Sequence, residues 1–257
     1  MDKILRGVIK FRQTVRSDLV KQFKEIKDNP NPTAVFFTCM DSRMLPTRFT
    51  QSKVGDILGA STEVSITTEP AALELAVKRG GICHVIVCGH SDCKVAMNLL
   101  YGLHQCPKNF DVQSPMDNWV RKNGFRSVKR LNERLHNGAA VMEFKSDVSP
   151  SQNFEAIIDP FEKMPAEDKL SQINVLQQVM NIASHEFLKE YFESKRLFAH
   201  AMWFDIYKGE TYLFSREKRR FIPIEESTVE ELKEEITRRC ESDEVFNEFA
   251  GQNISQR

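Results

Sequence analysis

An α/β fold is predicted, with a central, mostly parallel β-sheet flanked by helices and an antiparallel strand extension towards the C-terminus. Two short apolar runs carry that expectation, "TAVFFT" at 33–38 and "CHVIVCGH" at 83–90. Neither alternates with polar residues, so both read as strands covered on both faces. Between them, "EPAALELAVKRGG" has proline at its first helical position and closes on glycines, the punctuation of a helix. A strand, a helical crossover and a second such strand imply parallel pairing.

The remaining elements follow in order. Residues 1–28 form one amphipathic helix, because Ile4, Val8, Phe11, Val15, Leu19, Phe23 and Ile26 step by three or four until Pro30 and Pro32 end it. Its stripe suits docking. Asp2, Asp18 and Glu25 do not suit a presequence, although the arginines leave a mitochondrial location open beside the expected cytoplasmic one. Residues 105–151 carry Pro107, Pro115, Gly124 and Gly138 and read as a polar surface excursion with short helices. Leu170, Ile173, Leu176, Val179 and Ile182 then mark a sustained helix. "LFAHAMWFDIY" and "TYLFSREKRRFIPI" read as further strands turning at Gly209. A charged helix begins near Ser227 or Thr228, and residues 246–257 are expected to fray. Residues 1–257 are read as a single domain.

Composition excludes several functions. Lys+Arg and Asp+Glu balance at 36 each, so no global field favours nucleic acid or an anionic membrane. No apolar run is long enough to span a bilayer. Six cysteines without a secretory signal are better read as free thiols or metal ligands than as disulfides. A thiol redox site would need Cys-x-x-Cys, and a nucleotide site a glycine-rich loop; neither is present.

Both confident strands end in potential ligands. The first runs into Cys39, Asp41 and Arg43; the second ends in "CGHSDC", which carries His90 and Cys93. Sites in open parallel sheets lie outside the carboxyl ends of strands, so the two clusters can share one edge. Two thiolates and one imidazole suit Zn²⁺, which takes four ligands. The fourth is either water, as in a catalytic site, or a protein group, for which Asp41 is the candidate. Cys88 lies mid-strand and is read as core. Cys83, Cys106 and Cys240 have no supporting pattern, and His84 and His104 are read as core or surface residues.

On "CMDSR", "EPAALELAV", "VIVCGHSDCK", "NVLQQVMNIAS" and "HAMWFDIYKGETYLF" the chain resembles the β-class carbonic anhydrases, most closely the animal members. The likeness runs from the N-terminal helix through about Ile224. It implies reversible hydration of carbon dioxide to bicarbonate and a proton by zinc-hydroxide attack. The zinc would be held by Cys39, His90 and Cys93, with Asp41 either ligating it or pairing with Arg43. Paired, Asp41 orients the hydroxide, so Asp41 and Arg43 are the implied catalytic residues. The resemblance further implies a homodimer or dimer of dimers built by exchanging N-terminal helices.

The sequence departs from the family after Asp56. Family members continue into an apolar strand, an Arg-Asn-Ala-Gly type turn and a polar loop, whereas here only Ile57 and Leu58 precede the Glu69–Pro70 helix start as a strand stub. A missing strand would expose the edge of its neighbour. It would also support a second reading, an impaired or inactive member that keeps a structural zinc site.

Overall fold

A computed structural model describes residues 1–28, 30–61, 70–94, 96–138 and 140–240. The chain opens with α1 (Asp2–Gln13) and α2 (Arg16–Glu25). The predicted N-terminal helix is therefore two helices, parted at Thr14 and Val15, and neither buries a residue within the chain. Next come β1 (Ala34–Thr38), α3 (Pro46–Phe49) and β2 (Ile57–Ser61). The crossover helix begins as α4 (Pro70–Leu73), continues as a π turn over Glu74–Arg79, and leads through Gly80 and Gly81 to β3 (His84–His90).

The middle of the chain holds α5 (Met97–Gln105), α6 (Pro115–Asn137), β4 (Met142–Phe144) and β5 (Phe154–Ala156). After α7 (Ala166–Ala183) and α8 (Lys189–Glu193) come β6 (Phe198–Asp205), β7 (Glu210–Ser215), β8 (Arg220–Pro223) and α9 (Val229–Cys240). The expected frayed tail, 246–257, lies outside the described residues.

The main sheet has the order β2-β1-β3-β6-β7-β8, while β4 and β5 form a separate antiparallel pair. Its first four strands are parallel, and the hairpins β6–β7 and β7–β8 supply the antiparallel extension. β1 is buried from end to end, as its unbroken apolar run requires. The bare edge expected beside β1 is not found. β2 pairs along its whole length, from Ala34 opposite Ile57 to Thr38 opposite Ser61, so the stub is a full edge strand. Main-chain pairing asks nothing of side chains, which is why Gly59 and Ala60 can extend the ladder past Leu58. The family's turn and loop, read as missing from this sequence, would follow at residues 62–69, outside the described ones.

The polar middle also differs from expectation. Instead of short surface helices it contains α6, a helix of 23 residues that buries Val120, Gly124, Val128 and Leu131. The residues that resembled breakers are its fittings. Pro115 stands at the first turn, where no amide partner is needed. Ser114 caps the start, its Oγ accepting from the Asp117 amide at 3.2 Å. Gly138, at φ 65°, ends the helix. Gly124 lets α5 approach, because a Cβ there would lie 2.3 Å from Leu100 Cδ2.

Helix α7 packs on β3 and β6 and is covered by α6 and α5. It is buried almost all round, so its polar residues bond to each other. Gln178 Nε2 donates to Asn174 Oδ1 at 3.2 Å, Asn181 Nδ2 to Gln178 Oε1 at 3.0 Å, and Gln177 Nε2 to Asn181 Oδ1 at 3.0 Å. Helix α6 joins this ladder through Ser127 Oγ, which donates to Asn174 Oδ1 at 2.9 Å, and Arg130 Nε, which donates to Gln177 Oε1 at 2.9 Å.

The α5–α6 crossing yields a direct test. Gly124→Ala would raise helix propensity by about 1 kcal/mol, yet its methyl meets a buried leucine. Overpacking of this kind costs about 1–3 kcal/mol, so a net loss of about 1 kcal/mol is expected in urea unfolding. Equal or greater stability in the variant would show that the crossing has slack.

Candidate metal centre

β1 ends at Thr38, paired with Cys88 of β3, so Cys39 leaves its strand beside Gly89 and one step short of His90. Thr38 Oγ1 ties the two ends by donating to the Cys88 carbonyl at 3.0 Å. The chain then reverses after His90. Asp92 adopts a left-handed φ of 51°, which aspartate tolerates better than most residues, and the reversal returns Cys93 towards Cys39. Cys39 Sγ and Cys93 Sγ lie 3.9 Å apart. One ligand atom from each of Cys39, His90 and Cys93 lies within 4.8 Å of the others, and all three residues are buried. Among the described residues this is the single group of three or more metal-capable side chains.

The donor chemistry fits a soft divalent ion. His90 Nδ1 lies 2.7 Å from the Ser91 carbonyl, which can only accept, so Nδ1 carries a proton and the ring presents Nε2 to the group. The Cys93 thiol is held well below its ordinary pKa, first by hydrogen bonding with the Cys39 sulfur and then by His90, against a burial that pushes it up. That favours the thiolate a metal requires. Helix α7 braces the histidine from behind: Ser171 Oγ donates to the His90 carbonyl at 2.9 Å and accepts from Trp203 Nε1 at 3.1 Å.

Asp41 stands beside the group and faces Arg43. Arg43 Nε donates to Asp41 Oδ1 at 2.9 Å and Nη2 to Oδ2 at 2.7 Å, while the Arg43 amide donates to Oδ1 at 2.9 Å. These bonds hold the Asp41 carboxyl far below the usual carboxylate range, the side-chain bond to Arg43 being the largest cause, and raise the guanidinium in return. A cavity of about 400 Å³ opens beside the pair, lined by Phe36, Cys39, Asp41, Met44, Leu45 and Pro46 among others.

The other candidates sit apart from the group. Cys88 is buried within β3, as a core residue should be. His84 begins β3, at the end opposite His90, with its Nδ1 3.0 Å from His200 Nε2. His104 Nε2 donates to Asn132 Oδ1 at 3.0 Å. Sequence reasoning missed Asp92, Ser171, Trp203 and Tyr207. Asp92 had one signal, its place between His90 and Cys93; the others lie far off in sequence and meet the site only through the fold.

A family model described as carbonic anhydrase matches residues 34–211. Beta carbonic anhydrase 1 of Caenorhabditis elegans is 68% identical over 254 residues, covering 93% of this chain and 94% of the relative. Its Caenorhabditis briggsae counterpart is 62% identical over 255 residues, with the same coverage of both. Among solved structures, the β-carbonic anhydrase CcaA superposes with a TM-score of 0.66 at 21% identity, over 88% of this chain and 92% of that one. A tetrameric β-carbonic anhydrase of Sordaria macrospora gives 0.63 at 16% identity, over 84% and 98%. The structures agree on the fold and the relatives agree across nearly the whole length. The chain belongs to the β-class carbonic anhydrases.

Proposed function

We propose that Cys39, His90 and Cys93 hold a zinc ion and that Asp41 and Arg43 serve, beside it, the reversible hydration of carbon dioxide to bicarbonate and a proton. The observation that carries this reading is the fork of Arg43 on Asp41, next to a buried Cys-His-Cys group of which Cys39 lines a cavity with one apolar wall. Bound there, zinc would supply a Lewis acid that lowers the pKa of water to about 7.

The chain's own residues do the rest. Phe36, Met44, Leu45 and Pro46 give the cavity an apolar wall suited to an uncharged, apolar gas. Asp41, kept ionised by Arg43, can only accept hydrogen bonds. It accepts the hydrogen of the attacking oxygen and so aims a lone pair at the carbon. The cost of an ionised carboxylate near a buried site is offset by the bidentate guanidinium. A closed structural site would need a fourth protein donor, and the candidate, Asp41, is already engaged with Arg43. That argues against the structural-zinc reading.

We further propose that the N-terminal helices dock on a second copy of the chain, as a homodimer or a dimer of dimers. Ile4, Leu5, Val8, Ile9, Val15 and Phe23 are all about half exposed or more, an apolar stripe that water leaves unsatisfied. No helix among the described residues is long and apolar enough to cross a membrane.

Three outcomes are expected. Cys39→Ser and Cys93→Ser, measured by elemental analysis and thermal melting, should each lose stoichiometric zinc and melt lower, since ligation is coupled to folding. Normal zinc content in both would defeat the ligand set. Arg43→Ala should keep its zinc but hydrate carbon dioxide about 10- to 100-fold more slowly in stopped flow, the usual loss when a group supporting a metal site is removed. Full activity would reduce Arg43 to a strand-end brace. Deleting residues 1–28 should lower the sedimenting mass or cause aggregation, and an unchanged assembly would place the interface elsewhere.

A further inference from the structure

Arg43 has a second partner. Its Nη1 donates to Asp92 Oδ2 at 2.9 Å, and its Nη2 also donates to the Asp92 carbonyl at 2.9 Å. Asp92 is itself held on two more sides. Its amide donates to Asp168 Oδ1, in the first turn of α7, at 2.8 Å, and its Oδ2 accepts from the Tyr207 hydroxyl at 2.6 Å. Lys94 Nζ lies 3.7 Å from the same oxygen.

We propose that Asp92 and Tyr207 are positioning residues for the hydration reaction, fixing the guanidinium of Arg43 that holds Asp41 beside the metal group. The inference rests on the function proposed above and extends it to residues without a role there.

The argument is geometric. A guanidinium presents its donors in one rigid plane. Asp41 occupies the Nε–Nη2 edge, and that contact alone makes a unit that can swing on two side chains. Asp92 occupies the Nη1–Nη2 edge and so ties the unit to the segment that carries His90 and Cys93. Where Asp41 stands relative to the metal group is then set by a link between the two strand ends. Tyr207 adds a third element, because it reaches in from the turn between β6 and β7. A lone ion pair this exposed, with Arg43 33% accessible, would be worth little. Its value lies in the shared geometry, since partners that orient a metal site's groups change activity by about 10- to 100-fold.

Asp92 also dictates the choice of variants. At φ 51° an alanine would be strained, whereas glycine and asparagine are not. Asp92→Gly removes the side chain and keeps the turn. Asp92→Asn keeps an oxygen that can accept from both Arg43 and Tyr207. Tyr207→Phe removes one hydroxyl from a residue that is 74% exposed, so the fold should tolerate it.

Full-length wild type and the three variants would be loaded with Co²⁺ in place of zinc, read by visible absorption, and assayed with zinc in stopped flow. In Asp92→Gly the d–d bands should shift as Asp41 moves towards the metal, and kcat should fall about tenfold with KM nearly unchanged. Tyr207→Phe should move in the same direction by less, and Asp92→Asn should stay near wild type in both readouts. Wild-type spectra and kcat in both Asp92→Gly and Tyr207→Phe would overturn the positioning role alone. Equal losses in all three variants with unshifted bands would mark a merely structural role and overturn it too. A wild type without cobalt–thiolate absorption would overturn the metal reading, and this proposal with it.

Discussion

The parallel register between β1 and β3 is the constraint from which the rest of the site follows. Thr38 faces Cys88, so β1 leaves the sheet at Cys39 while β3 runs two residues further to His90, and the two side chains converge. Neither ligand is placed by its own loop. Each is placed by a strand locked in a ladder, where a slip of one residue would turn every side chain to the other face. That rigidity explains the apolar run before Cys39: β1 lies buried in the sheet so that its end does not wander.

Electrostatics then divides the labour at the strand ends. The thiols and imidazole occupy the enclosed side, where His90 is fully buried and Cys93 nearly so. Arg43 and Asp92 occupy the wetter side, where ions cost less to keep charged, and Asp41, 9% exposed, stands between them and the thiols. Arg43 spans the boundary, and its planar donors allow one cation to serve two carboxylates without a change of rotamer.

Much of this was legible in the sequence, and the exceptions have physical causes. That Cys39, His90 and Cys93 come together could be read because ligand-type residues at strand ends announce themselves by residue type. β2 reads as a stub because Gly59 and Ala60 carry no strand signal, yet backbone pairing along β1 needs none. Residues 105–151 read as a surface excursion with short helices because Pro115, Gly124 and Gly138 break helices when met in isolation. Here they start one, admit its neighbour and end it. Tyr207 and Ser171 could not be read at all. They join the site from elements more than 70 residues beyond His90, and only the tertiary fold brings them there.

The amide ladder of α7 acts at a distance. A helix covered by apolar neighbours could rotate or slide with small loss, because one leucine fills a groove much as another does. Asn174, Gln177, Gln178 and Asn181 remove that freedom, since a step of one residue turns the helix by about 100° and would strand every amide in a dry interior. The same helix presents Ser171 to the His90 carbonyl and Asp168 to the Asp92 amide. The ladder thus works as an indexing pin for the metal centre: it sets the phase of a rod whose far end touches the chemistry.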